Sequence, residues 1–276
     1  MLTKEIVHIR AAVEYIQSKC KVSPKIGIVL GTGLSGLASS IQHAIKIPYS
    51  DIPHFPISTV QSHQGELIVG QLGNANVIAM AGRFHFYEGY SMKQVTFPIK
   101  VLKLLGIEQI ILSNASGSAH PDFNTGDIVV IKDHINLQPE NPLRGINLDE
   151  LGPRFPDMVN AYDQNLLEMA LVAADQLDYP LKQAVYVGVQ GPNLETKAEF
   201  KFFRIIGGDI VGMSTVPEVI VANHMHLPVL AFSVVTNEGW SEDRDEANVD
   251  EIIAVAQKAS DKLEQIVERV LQSLHK

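Results

Sequence analysis

The chain has 276 residues, 46% of them hydrophobic and 19% charged, which supplies a core and excludes a disordered or low-complexity protein. Lys and Arg number 22 against 31 Asp and Glu, a formal charge of −9. An acidic chain repels phosphate backbones and anionic lipid, so neither nucleic acid nor a membrane is expected as a partner, and any anion must be caught by a local cluster.

The single cysteine, Cys20, allows no intrachain disulfide, and no run approaches the ~20 apolar residues of a membrane span, so a cytoplasmic location is expected. Ile6, Ile9, Val13 and Ile16 recur at helical spacing and predict an amphipathic opening helix over 4–19. Residues 25–30 read as a short buried strand running into Gly31-Thr-Gly-Leu-Ser-Gly36. Apolar runs of strand length follow at 67–69, 77–81, 109–112, 128–131, 184–189, 210–212 and 229–235. Helical patterns stand at 91–105, 163–177, 194–206 and 216–226, with a long last helix over 249–274. Strands that are apolar throughout and alternate with helices argue an α/β fold with a covered parallel or mixed sheet. The stretch 136–158, rich in Pro and Gly, reads as a long functional or interface loop. Composition does not change across it, so one domain over 1–276 is expected.

The first glycine loop matches G-x-G-x-x-G, and Asp51 lies where a dinucleotide fold wants its ribose-binding acid. A nicotinamide-dependent dehydrogenase is therefore one reading, and a plain strand-to-helix turn is another. Backbone N–H groups at such a turn attract any phosphate, and Ser35 adds a hydroxyl donor.

A second anion cluster follows the strand 77–81. If the chain is extended there, Arg83, His85 and Tyr87 alternate to one face and present a guanidinium fork, an imidazole and a phenol. His63, in Ser62-His-Gln-Gly65, is a further donor or simply part of a surface turn. Asn114-Ala-Ser-Gly117 closes a strand with small residues, where backbone donors can approach a ligand. Gly212-Met-Ser-Thr-Val216 lacks the closing glycine of a nucleophile elbow, which leaves Ser214 as a hydroxyl donor. His224-Met-His226 lacks paired carboxylates and suits a helix end better than a metal. Glu195 stands at a helix start, where an acid also complements the dipole, and Asn237 closes the run 229–235. Together an acceptor-only Glu and a donor–acceptor Asn can read a heterocycle.

In combination these segments resemble the trimeric-type purine nucleoside phosphorylase family over essentially the whole chain. The likeness rests on GTGLSGL, GRFHFYEGY, NASG, GDIVVIKDHINL, NPLRG, GPNLET, VGMSTVPEV and VVTN, in family order. It implies a mixed, partly barrel-like sheet flanked by helices, a homotrimer and a role in purine salvage. It also implies reversible phosphorolysis of purine nucleosides without metal or organic cofactor, inorganic phosphate being a co-substrate.

By that resemblance Ser35, His63, Arg83, His85, the backbone N–H of Ala115 and Ser214 hold phosphate. Tyr87 and Met213 touch the sugar, and Glu195 and Asn237 hold the base, with Asn237, Glu195 and His85 as the catalytic set. Phe155 reaches the ribose of the neighbouring subunit. Asn237 implies a preference for 6-oxopurines. Three positions depart from the family. Val249, twelve residues after Asn237, replaces a histidine that reads the sugar 5′-hydroxyl. Glu238 replaces a lysine found in some members, and Leu194 a frequent phenylalanine. Val249 makes a 5′-methylthio-nucleoside phosphorylase the nearest alternative.

Overall fold

The structure, a computed structural model, describes residues 4–31, 36–59, 64–241, 246 and 248–274. Nine strands form one sheet: β1 (Ile26–Leu30), β2 (Gln42–Pro48), β3 (Glu66–Leu72), β4 (Ala75–Ala81), β5 (Gln109–Ser118), β6 (Ile128–Asn136), β7 (Lys182–Gly188), β8 (Ile210–Gly212) and β9 (Val229–Glu238). The helices are α1 (Lys4–Lys19), α2 (Leu37–Ser40), α3 (Met92–Val95), α4 (Phe97–Leu104), α5 (Gln164–Asp175), α6 (Lys197–Ile205), α7 (Val216–His224) and α8 (Val249–Ser273).

The strand order is β2-β3-β4-β1-β5-β8-β7-β6-β9, and β9 pairs back onto β5. Five strands (β5, β8, β7, β6, β9) therefore close into a ring, while β1, β4, β3 and β2 extend from β5 as a flange. This is the partly barrel-like mixed sheet that the resemblance implies. Both faces are covered, which explains the continuous apolar runs. In β1, Val29 joins the cluster under α1, α4 and α7, while Ile26, Ile28 and Leu30 join the one under α5 and α8. Each such side chain taken out of water contributes about 1.5–3 kcal/mol.

Three expectations need correction. The helix expected over 91–105 is broken into α3 and α4 at Thr96, because Pro98 in the first turn of α4 has no N–H for a fourth-back carbonyl. The strand β2 was not anticipated. It is an edge strand with only Ile47 fully buried, a register shift between Gln42 and Ile45 and Pro48 at its end, features that blunt edge pairing.

The third correction concerns the dinucleotide reading of the first glycine loop. That reading needs a crossover helix and then a strand parallel to β1. Here α2 has four residues, and β2 runs antiparallel to β3 with β3 and β4 between it and β1. Asp51, in a short 3-10 turn after β2, is thus removed from the end of β1, and the segment is not a dinucleotide-binding unit.

Polar residues continue two strands past their apolar runs. Asn114, Ser116 and Ser118 lie within β5, where the ring closes, rather than after it. Ser233 on β9 satisfies two of them, with its Oγ 2.6 Å from Asn114 Oδ1 and 2.7 Å from Ser116 Oγ. No helix among the described residues is long and apolar enough to cross a membrane.

Candidate active site

The parallel strands β1, β4, β5 and β9 deliver their carboxyl ends to one place, and the segment after β8 meets them there. The cavity at that point is lined by Gly31, Arg83, His85, Tyr87, Asn114–Gly117, Leu194, Glu195, Val211–Ser214, Thr236, Asn237 and Ile252. Of the residues singled out in the sequence, it gathers Arg83, His85, Tyr87, Ala115, Glu195, Met213, Ser214 and Asn237. Ser35 and His63 lie outside the described residues.

One end is a buried ionic network. Arg83 is 1% exposed. Its Nε donates to Glu218 Oε1 at 3.1 Å, its Nη2 to Glu218 Oε2 at 2.7 Å, and its Nη1 to the Ser113 carbonyl. The bidentate fork fixes the guanidinium plane, and removing either partner would leave a buried charge uncompensated. Gly31 is needed beside it, since a Cβ there would lie 2.2 Å from the Ser113 carbonyl oxygen and 3.1 Å from Arg83 Nη1.

Glu218 also accepts from the Thr215 backbone N–H at 2.9 Å, and Asn114 Nδ2 donates to Thr215 Oγ1 at 2.8 Å. These bonds hold Thr215 at φ +68, a conformation costing about 1–3 kcal/mol in a residue other than glycine. The strained turn presents the adjacent Ser214, whose backbone N–H donates to the Tyr186 hydroxyl at 3.3 Å. Burial pushes that phenol up to about 12, so it stays protonated.

His85 is fixed by Glu88, whose Oε1 lies 3.0 Å from the ring Nδ1 and accepts the His85 backbone N–H at 2.8 Å. The other oxygen, Oε2, accepts from the Thr59 backbone N–H and hydroxyl at 2.9 and 2.6 Å. Burial alone would raise the Glu88 carboxyl, but the hydrogen bonds from His85 and Thr59 outweigh it and hold the group at about 2. The Tyr87 ring stacks on His85 at 4.7 Å between centroids. Burial, with the Glu88 charge, pushes the Tyr87 phenol up to about 12, so it too keeps its proton.

The other end is built from the ends of β5, β9 and α6. Asn237 lies against Gly117, where a Cβ would stand 3.1 Å from its Nδ2. Thr236 Oγ1 is 3.3 Å from Asn237 Oδ1. Glu195 immediately precedes Thr196, which caps α6 in a reciprocal pair with Glu199. The dipole-complementing role therefore falls to Glu199, and Glu195 is left outside the helix on the cavity wall. From Asn114 to Gly117 the strand β5 advances roughly 10 Å, at ~3.3 Å per residue, so the two ends stand about a nucleoside apart.

One expected contact falls elsewhere. Val249 is the first residue of α8, 62% exposed, and does not line the cavity. Ile252, one turn further on, does, because residues three apart share a helix face. Phe155 is 87% exposed and lines a separate cavity with His134, Arg144 and Arg154. His224 ends α7 and its Nε2 lies 3.1 Å from Asn147 Oδ1.

Glu218, Glu88 and Ile252 are residues at the site to which the sequence reading assigned no role. Two of them had a signal: Thr215-Val-Pro-Glu218 is a capping-box spacing, and Glu88 sits three residues after His85.

A family model described as the phosphorylase superfamily matches residues 25–272. The chain is 48% identical over 250 residues to purine nucleoside phosphorylase 1 of Bacillus subtilis, covering 91% of this chain and 92% of the relative. It superposes on a Schistosoma purine nucleoside phosphorylase in complex with hypoxanthine with a TM-score of 0.94, at 39% identity over 100% of both chains. Isoform 2 of the Schistosoma mansoni enzyme, in complex with cytosine and ribose-1-phosphate, gives 0.92 at 40% identity, covering 96% of this chain and 95% of that one.

Proposed function

The chain belongs to the phosphorylase superfamily, and from that premise we propose that it catalyses reversible phosphorolysis of purine ribo- and deoxyribonucleosides to the free base and (deoxy)ribose 1-phosphate. The observation that carries this reading is one cavity that holds Arg83, His85 and Ser214 at one end and Glu195 and Asn237 at the other.

In the proposed reaction phosphate binds between Arg83, His85, Ser214 and the backbone N–H of Ala115, with Ser35 and His63 completing the set. Tyr87 and Met213 bracket the sugar. As the bond from C1′ to N9 breaks, positive charge grows on the sugar beside the bound phosphate and negative charge grows on the base. A phosphate oxygen then bonds to C1′. No strong general base is required, because phosphate already carries the nucleophilic electron pair. Asn237 donates to N7 of the departing purine, and Glu195 accepts from N1–H and a 2-amino group. Donors aimed at charge that appears only in the transition state lower the barrier most. The same geometry favours 6-oxopurines, whose oxygen complements the Asn237 amide. Phosphate is a co-substrate, and the reading requires no metal or organic cofactor.

The exposed apolar side chains Phe155, Val159 and Ile146, between β6 and α5, support an assembly in which this connection meets a second copy. A homotrimer with Phe155 reaching the neighbour's ribose is the arrangement proposed, in a cytoplasmic enzyme of purine salvage.

A 5′-methylthio-nucleoside phosphorylase is the second reading. It is favoured by Ile252, an apolar side chain on the cavity wall that offers the sugar 5′-position no hydrogen bond. Base release from inosine, guanosine, adenosine, xanthosine and 5′-methylthioinosine, each with and without phosphate, tests both. Phosphate-dependent release from inosine and guanosine supports the first reading, and a lead for 5′-methylthioinosine supports the second. No release from any substrate would overturn both.

A further inference from the structure

Where β5 and β9 close the ring, Asn114 stands in register with Ser233. Asn114, Ser116, Thr215 and Ser233 are each 3% exposed or less, so their protons need acceptors inside the protein. Counting protons fixes which way the hydroxyls point. Asn114 Oδ1 can only accept, so its 2.6 Å bond to Ser233 takes the one hydroxyl proton of that serine. The 2.7 Å bond between Ser233 and Ser116 must then be donated by Ser116. On its other side Asn114 donates through Nδ2 to Thr215 Oγ1 at 2.8 Å. The acceptor within reach of the Thr215 proton is Ser214 Oγ, at 3.2 Å.

The donors thus run one way, from Ser116 through Ser233, Asn114 and Thr215 to Ser214, and the last serine keeps its own proton to give. Ser214 lines the catalytic cavity beside Arg83 and His85. Bonds in such a chain polarise one another, so each donor upstream strengthens the last. Turning the Asn114 amide over would reverse every bond and leave Ser214 facing the cavity with a lone pair, which repels an anion.

We propose that Ser233 is a positioning residue for the anion end of the cavity: through Asn114 and Thr215 it holds the Ser214 hydroxyl as a donor to the bound anion. This role rests on Ser214 being a phosphate ligand, as in the reaction above. A site so arranged asks the anion only for lone pairs, and sulfate, which carries no proton, should be taken as well as hydrogen phosphate.

Calorimetric titration with inorganic phosphate, and separately with sulfate, reads the site without turnover. Ser214→Ala should raise the Kd of both anions about tenfold or more. Ser233→Ala should raise both at least about fivefold in the parent but less than about twofold in Ser214→Ala, because it acts through a hydroxyl already removed. Ser233→Cys, close in shape and only a weak donor, serves where alanine does not fold; it should raise both about threefold, again only while Ser214 is present. In phosphorolysis of inosine the KM for phosphate should rise with the Kd, while kcat at saturating phosphate changes less than about threefold. Equal losses in both backgrounds would make Ser233 a packing residue and overturn the role. So would unchanged Kd values in both Ser233 variants, or sulfate binding that is absent or indifferent to Ser214→Ala, the mark of the reversed chain. Phosphate bound as expected without base release from any nucleoside would overturn the reaction and leave the positioning role standing. A parent that binds no phosphate overturns both.

Discussion

The two ends of the catalytic cavity are built in opposite ways. At the anion end, Arg83 and Glu218 are buried, and the His85 ring is tied to a carboxylate that is itself tied to Thr59. At the base end, Glu195 is partly exposed, Leu194 is 44% exposed, and Asn237 rests on a glycine rather than in a network of charges. The first end is therefore organised before any ligand arrives, and its residues bear on folding as well as on catalysis. The second is a set of strand and helix ends whose identities can change at little cost to the fold. Substrate preference is the property that such a division leaves free to vary.

The sharpest way to break this contrast is at Arg83. Arg83→Ala should lower kcat/KM at least about 10³-fold and, by stranding Glu218, destabilise the protein by about 3–5 kcal/mol. Arg83→Met/Glu218→Leu, which removes both charges, should recover most of the melting temperature and none of the activity. If the double variant melts no higher than the single one, the buried pair is not what couples the site to the fold.

At the base end Asn237→Ala should cost about 10²–10³ in kcat while leaving the melting temperature unchanged. Asn237→Asp should gain on adenosine relative to inosine, and an unchanged ratio of the two rates would remove Asn237 from base recognition.

Glu88→Gln lies between the extremes, with an expected rise of about tenfold in KM for phosphate and a smaller change in kcat. Its pH signature is specific. The Glu88 carboxyl sits at about 2 in the folded protein and near 4.3 in an unfolded chain, so the unfolded state takes up the proton first as pH falls. The stability lost in the variant should thus be full above about pH 5 and shrink to nothing as pH falls toward 2. Denaturant unfolding of parent and variant at several pH values reads this difference.

The smallest effect is expected at the sugar 5′-position. Replacing inosine by 5′-deoxyinosine should change kcat/KM by less than about threefold, because Ile252, the residue of α8 on the cavity wall, offers no hydrogen bond. A steep loss would show that another donor reads the hydroxyl.

Much of this was legible along the chain because the relevant signals are local. A strand covered on both faces must be apolar throughout, so β1, β4 and the first half of β5 stand out. Arg83, His85 and Tyr87 stand out because extended chain puts alternate residues on one side. The illegible parts depend on distant partners. Nothing in Gln42–Pro48 announces a strand, because an edge pairs on one side and can remain polar. The polar half of β5 continues as strand only because Ser233, more than a hundred residues away, satisfies Asn114 and Ser116. Glu218 looks like an ordinary helix-capping acid until Arg83, 135 residues earlier, is laid beside it.

The pairing of β5 with β9 along one edge, and with β1 and then β8 along the other, has a mechanical consequence. A strand that belongs at once to the ring and the flange leaves no line along which the two can swing apart. Admission of substrate and escape of product must then be matters of the connections at the strand ends, without a hinge between halves. Small-angle scattering should accordingly return the same radius of gyration for the empty protein and for the protein saturated with base and phosphate.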